Sequence, residues 1–230
     1  MDYAQVISRK FLGGARMQYL IDDANLQHID DVIETGIRMV TANPTMYRKN
    51  NITLSDFITT CKQKKLSFLS GEICSDELED MKLEAEQLIN IYPEIVIKIN
   101  FSKNGLKLCE YLHQMKVKTA LTLVFQLPQV LAAMNAHADY IFFFIGRNDE
   151  TGVDGMELLV EANRMTHNSN SYIVAASIKN LHHLQQLCKS EIPYAAIPYD
   201  LYMKSLYHPL TEVGISGFKE DFQQTKQSRI

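Results

Sequence analysis

The feature that most constrains this chain is an alternation. Short apolar runs at 18–22, 38–40, 66–73, 95–99, 119–125, 140–145, 172–178 and 195–198 are each followed by a stretch of helical period. Those stretches are 27–34, 55–64, 77–91, 105–115, 128–137, 155–165, 181–189 and 201–207, and a further helical pattern at 212–226 closes the chain. Strict alternation of strand and helix points to a parallel sheet. A parallel sheet is covered on both faces, so its strands read as continuous apolar runs, as these do. Eight units in about 210 residues fit a (β/α)8 TIM barrel at the small end of its range. The rival, a doubly wound open sheet, often carries a glycine-rich first turn. Here the first run is followed by Asp22-Asp23-Ala24-Asn25. The sequence therefore predicts an α/β protein, a (β/α)8 TIM barrel with an additional C-terminal helix, as one domain over residues 17–230.

The first sixteen residues, MDYAQVISRKFLGGAR, stand apart. They lack the apolar core of a signal peptide. Leu12-Gly13-Gly14 can be encoded by UUA GGA GGU, which contains a bacterial ribosome-binding sequence, and Met17 follows at about the usual gap. The expectation is that translation starts at Met17 and that residues 1–16 form an untranslated extension; a short tail is the alternative.

Net charge is -4. A nucleic-acid or anionic-membrane surface needs a basic face, so neither partner is expected. No apolar run approaches the roughly 20 residues that span a bilayer. The cysteines, Cys61, Cys74, Cys109 and Cys188, have no CxxC or ligand spacing, and no HExxH pair is present. Free thiols in a cytoplasmic protein, with no metal and no cofactor, are the expectation.

A barrel of this kind places its site at the C-terminal ends of its strands. Those ends hold Asp22 on the first strand, Thr41 and Asn43 on the second, Glu72 on the third and Lys98 on the fourth. Thr122 follows on the fifth, Arg147 past the sixth, and Ser177 with Lys179 at the seventh. Caps and turns use Asp, Asn, Ser and Thr constantly, so one such residue means little. A set drawn from seven consecutive strands converges only if the sheet closes.

Lys98 sits inside Ile95-Val96-Ile97-Lys98-Ile99. Two readings stand. Its stem can line the barrel while the amine reaches water. Or burial among the isoleucines disfavours the charged form and prepares a nucleophilic amine, which Glu72 on the next strand would oppose. Asp22 reads as a proton carrier or as a helix cap. Glu72 reads as catalytic or as half of an ion pair. Arg147, Ser177 and Lys179 read as an anion site or as solvated surface groups. His182-His183 and Asp149-Glu150 read as loop and cap chemistry, and Phe142-Phe143-Phe144 as barrel core.

Taken together, the motifs resemble one family. YLIDDAN looks like F-L-D-T-A-N, and MVTANPTM like G-V-T-T-N-P-S-L. IVIKINFSKNGL looks like V-V-V-K-I-P-x-T-x-x-G-L, and KTALTLVFQLPQ like K-T-N-V-T-L-I-F-S-x-x-Q. ADYIFFFIGRNDETGVDG looks like A-x-Y-V-S-P-F-V-G-R-x-D-D-x-G-x-D-G, and AASIKN like A-A-S-I-R-N. These are patterns of the transaldolase family, in particular its small-subunit branch, which includes the fructose-6-phosphate aldolases. The resemblance runs from about Met17 to Phe222. It implies a Schiff base on Lys98, a catalytic Asp22, a water held by Glu72 and Thr122, and substrate contacts at Thr41, Asn43 and Phe144. It implies a phosphate at Arg147, Ser177 and Lys179. The implied partners are fructose 6-phosphate, sedoheptulose 7-phosphate, erythrose 4-phosphate and glyceraldehyde 3-phosphate, and other copies of the chain in a ring, commonly a decamer. The implied activity is transfer of a dihydroxyacetone unit in the pentose phosphate pathway. The alternatives are an aldolase that releases dihydroxyacetone and a barrel that binds sugar phosphates without turnover. The chain departs from the pattern at Ala120, Phe142, Asn100 and Lys179, where the family has asparagine, serine, proline and arginine.

Overall fold

The alternation closes on itself. In the computed structural model, which describes residues 17–227, eight parallel strands follow one another round a closed barrel, each bonded to the next and the eighth to the first. The strands are β1 (Gln18–Asp22), β2 (Met39–Thr41), β3 (Phe68–Glu72), β4 (Val96–Asn100), β5 (Thr119–Val124), β6 (Tyr140–Phe144), β7 (Tyr172–Ala176) and β8 (Tyr194–Ile197). The helices are α1 (Leu26–Glu34), α2 (Pro44–Lys49), α3 (Leu54–Cys61), α4 (Leu78–Ile91), α5 (Lys103–Gln114) and α6 (Leu127–Asn135). They continue as α7 (Ile145–Asp149), α8 (Gly155–Thr166), α9 (Leu181–Cys188), α10 (Tyr199–Ser205) and α11 (Pro209–Gln227). The expected barrel and closing helix are therefore present. The expected extension at residues 1–16 lies outside the described residues.

Several helix starts follow from capping. The side chains of Asn25, Asn43, Thr53, Ser102, Asp154 and Asn180 each accept a backbone N–H of the first turn. Such a cap is worth about 1 kcal/mol because it satisfies a donor that the helix leaves open. Two short helices, α2 and α7, were not expected. Six and five residues are too few to show a helical period, and both lie in stretches read as strand-end loops.

Period-2 geometry sorts each strand into two faces. Ile21, Val40, Leu69, Ile97, Ile99, Leu121, Ile141, Phe143, Ile173 and Ile197 belong to the layer between barrel and helices. Leu20, Met39, Phe68, Val96, Ala120, Phe142, Val174 and Ala196 fill the interior. The same parity carries Asp22, Thr41, Glu72, Lys98 and Thr122 inward, one or two steps further towards the mouth. Here the structure corrects the expectation for Lys98. Ile95, Ile97 and Ile99 pack outward under the helices, and the amine meets different neighbours. A register shift lies between Leu121 and Val124, where Leu123 has φ 60°. This bulge lets Thr122 point inward while Val124 joins the outer layer, a way of re-aiming a side chain beside a site.

Candidate active site

Four polar side chains are buried at the mouth, on adjacent strands. Thr41, Glu72, Lys98 and Thr122 are 0%, 7%, 4% and 2% exposed. Strand register sets Glu72 beside Lys98, and Asn100 beside Thr122. The Lys98 Nζ lies 3.0 Å from Glu72 Oε2 and donates to the Ala42 carbonyl, also at 3.0 Å. The ring of Phe142 takes the third side, its centroid 5.1 Å from Nζ. A carboxylate, a carbonyl and an aromatic face thus surround one buried ammonium. A buried charge is tolerated only when it is paired in this way.

Asp22 is half-buried, but its Oδ1 is sealed from solvent and accepts no hydrogen bond. Burial pushes its carboxyl from the ordinary 3.8 up to about 6; Lys98 pulls against the shift and the Glu72 carboxylate adds to it. A carboxyl tuned into this range can take or give a proton near neutral pH. Because the folded protein holds this proton more tightly than the unfolded chain, stability should fall as pH rises from 3.8 towards 6. Asp22→Asn is therefore expected to raise Tm at pH 7, by up to about 3 kcal/mol of stability, with the gain shrinking towards pH 4. Thermal melts of both proteins across that range test it, and a loss of Tm at pH 7 would refute it.

The other expected residues divide into groups. Thr41 shares its hydroxyl with Ser70 at 2.8 Å, both buried. Asn43 caps α2 through a 3.2 Å bond from the Met46 N–H, so the helix fixes its side chain. Phe144 packs against Phe125 at a centroid distance of 5.3 Å, and the Arg147 guanidinium lies 5.3 Å from the Phe144 ring. Arg147 is exposed on α7, and Lys179 Nζ pairs with Glu150 at 3.2 Å, both near half-exposed. An exposed pair like this holds little energy and is free to exchange for another anion. Gly146 ties the corner together. Its N–H donates to the Ser177 carbonyl at 3.1 Å, and a Cβ there would lie 2.3 Å from that oxygen and 2.5 Å from the Lys179 Cγ. Thus Arg147, Ser177 and Lys179 come together on one corner of the mouth.

Sequence reasoning missed four contributors. Ser70 precedes Glu72 by two, and period 2 could have placed it inward. Tyr47 is buried with an unpartnered hydroxyl; burial first, then the Glu72 and Asp22 carboxylates, raise its phenol well above the ordinary value. Its helix was not foreseen, so its direction could not be read. His183 and Asp149, taken as loop and cap residues, face each other across α9 and α7 at 3.1 Å.

Fold and site together define a closed parallel barrel whose mouth holds a buried lysine among carboxylates. That class covers many chemistries, and comparison with known proteins narrows it. The chain belongs to the transaldolase/fructose-6-phosphate aldolase family, whose model matches residues 19–229. A probable transaldolase of Clostridium botulinum (strain Eklund 17B / Type B) is 34% identical over 210 residues, covering 90% of this chain and 98% of the relative. A probable transaldolase of Geobacillus kaustophilus is 34% identical over 213 residues, covering 91% and 100%. Among solved structures, a glycerophosphodiester phosphodiesterase from Parabacteroides distasonis matches with a TM-score of 0.58 at 8% identity, over 84% of this chain and 97% of that one. That likeness shows the barrel and nothing of the chemistry. Family and relatives mark the chain as a transaldolase-type enzyme of carbohydrate metabolism. Among the described residues, no helix is long and apolar enough to cross a membrane.

Proposed function

We propose that the protein is a transaldolase that moves a dihydroxyacetone unit between sugar phosphates through a Schiff base on Lys98. The observation that carries this reading is the Lys98 amine, 4% exposed, in contact with Glu72 and electrostatically coupled to Asp22. Once deprotonated, the amine adds to the ketone carbon of fructose 6-phosphate or sedoheptulose 7-phosphate, and loss of water gives the imine. The protonated imine draws electrons. Asp22 takes the proton of the hydroxyl beyond the bond to be cut, and that carbon–carbon bond breaks. An aldose phosphate leaves, glyceraldehyde 3-phosphate or erythrose 4-phosphate. The three-carbon enamine waits on Lys98 for an acceptor aldehyde. Glu72 and Thr122 hold the water that moves protons between Asp22 and the imine. Thr41, Asn43 and Phe144 contact the sugar, and Arg147, Ser177 and Lys179 hold the phosphate. Borohydride added during turnover should leave a three- or six-carbon adduct on Lys98; peptide mapping that puts it on another lysine, or finds none, would sink the reading.

Phe142 works against this site. Its ring is 2% exposed and lies with its centroid 5.1 Å from the amine, within reach of the terminal hydroxyl arm of a donor bound there. Phe142→Ser should raise kcat/KM for fructose 6-phosphate, because it removes a clash with the bound donor and supplies a hydroxyl. The same change empties core volume and should cost roughly 3–5 kcal/mol of stability. Kinetics run well below the variant's Tm decide the point, and an unchanged or lower kcat/KM would show that the ring does not crowd the donor. Failure of wild type and variant alike to turn over any ketose phosphate would favour a barrel that only binds.

The quaternary and cellular expectations belong to the same reading. Leu210, Val213 and Phe218 of α11 are 73%, 69% and 77% exposed. Apolar exposure of this kind supports a homo-oligomeric ring, with a decamer as the form expected. Truncation after His208 should reduce the sedimentation coefficient to that of a smaller species; identical sedimentation would count against it. Four free cysteines fit a reducing cytoplasm. Recovery of the native protein outside the cytoplasmic fraction would contradict that placement.

A further inference from the structure

Residues 177–179 run in an unusual path between β7 and α9. Ser177 has φ 58°. A side chain other than glycine costs roughly 1–2 kcal/mol in that region, and such a residue persists only where its surroundings over-determine it. Two contacts do so. One is the Gly146 N–H, which donates to the Ser177 carbonyl at 3.1 Å. The other is a relay. The Lys179 backbone N–H donates to His183 Nδ1 at 3.3 Å, and His183 Nε2 lies 3.1 Å from Asp149 Oδ2. The second Asp149 oxygen accepts the Gly155 N–H at 2.9 Å. A backbone N–H can only donate, so Nδ1 must be the acceptor and the ring proton sits on Nε2, aimed at the carboxylate. The ring side chain is 11% exposed, so little water competes.

We propose that His183 is a positioning residue for the anion corner, and that Asp149 sets the tautomer in which it works. The relay joins α7, which carries Arg147, to the turn that carries Ser177 and Lys179. Without the Nδ1 acceptor the Lys179 N–H loses its partner, and Ser177 can relax out of its left-handed conformation. The Ser177 carbonyl then swings from the Gly146 N–H, and the turn carrying Ser177 and Lys179 parts from the helix carrying Arg147. The assignment of Arg147, Ser177 and Lys179 to phosphate rests on the proposed function; the relay itself does not.

The test separates the two. Inorganic phosphate is the probe, titrated calorimetrically into the full-length protein, so that binding is read without turnover. His183→Leu should raise the phosphate Kd about tenfold, the effect of one lost hydrogen bond at a preorganised site. His183→Asn, whose Oδ1 can stand where Nδ1 stood, should restore most of it. His183→Gln, whose amide reaches further towards Asp149, should not. Asp149→Asn keeps the histidine, but with the amide oxygen held by the Gly155 N–H its NH2 faces Nε2 as a donor and favours the proton on Nδ1; it should resemble His183→Leu and covers the case in which that variant fails to fold. Where fructose 6-phosphate is turned over, its KM should rise about tenfold in His183→Leu with kcat moving less than twofold, a split that general loosening of the fold would not give. The proposal is overturned if phosphate binds wild type, His183→Leu and Asp149→Asn equally, or binds none of them. Phosphate binding that depends on His183 in a protein that never traps a donor on Lys98 would uphold the relay and reject the transaldolase reading.

Discussion

Lys98→Met should abolish transfer and leave no borohydride adduct, a loss of at least about 10⁴-fold in kcat, because on the proposed mechanism it removes the covalent carrier of the three-carbon unit. Methionine matches the lysine stem in length and apolar character, so the interior layer keeps its volume. The fold does not come through unchanged, however. Glu72 is 7% exposed and lies 3.0 Å from the Lys98 amine, so the variant leaves a buried carboxylate without its cation. Removing one partner of a buried pair costs about 3–5 kcal/mol. Lys98→Met should therefore melt below the wild type at neutral pH, and adding Glu72→Gln should return much of the loss. Circular-dichroism melts of the three proteins beside the coupled activity assay read both effects. Residual transfer above about a thousandth of wild type would remove Lys98 from the mechanism. A single variant as stable as wild type would show that the pair contributes nothing.

Glyceraldehyde 3-phosphate should form steadily from fructose 6-phosphate only when erythrose 4-phosphate is present, with sedoheptulose 7-phosphate as the co-product. The reason lies at Phe144. The resemblance implies that the aldolase branch carries a tyrosine at this point and a glutamine at the position of Glu72. A phenol can pass a proton to the enamine and let the three-carbon unit leave; a phenyl ring has none to give. Phe144 is half-buried against Phe125, with the Arg147 guanidinium 5.3 Å from its ring. A tyrosine ring would keep both contacts, so Phe144→Tyr isolates the hydroxyl, and it should raise acceptor-free cleavage. A coupled assay for glyceraldehyde 3-phosphate with and without acceptor decides the matter. Equal steady rates in both conditions would make the protein an aldolase despite Phe144 and Glu72.

Lys98, a lysine inside an apolar run, shows how far a linear reading goes. Residues 95–99 read as a strand, and β4 is found at Val96–Asn100. Of its expected surroundings, Glu72 on the next strand is found 3.0 Å away, while the flanking isoleucines are not its neighbours. Alternating side chains send Ile97 and Ile99 to the helices and Lys98 to the interior, so neighbours in sequence are not neighbours in space. Boundaries moved for a related reason. The third run was read at 66–73 and the strand is Phe68–Glu72, because apolar packing continues past the last paired backbone groups.

What the sequence determined by itself was the order of the eight strand–helix units, the parallel sheet and the strand-end residues. Each of these follows from local period and from the rule that a parallel sheet must be covered on both faces. The motif pattern added the family. Only the tertiary structure decided which polar groups touch. The 3.0 Å contact of Lys98 with Glu72 depends on the register of two strands 26 positions apart, and register leaves no mark in either segment alone. The sealed Oδ1 of Asp22 depends on what packs around it, and the buried hydroxyl of Tyr47 on where α2 seats, a helix whose six residues show no period to announce it. The relay from Asp149 through His183 to Lys179 joins two short segments through side chains of ordinary cap residues. Their chemistry is set by direction and distance, which the closing of the barrel supplies and the order of residues does not.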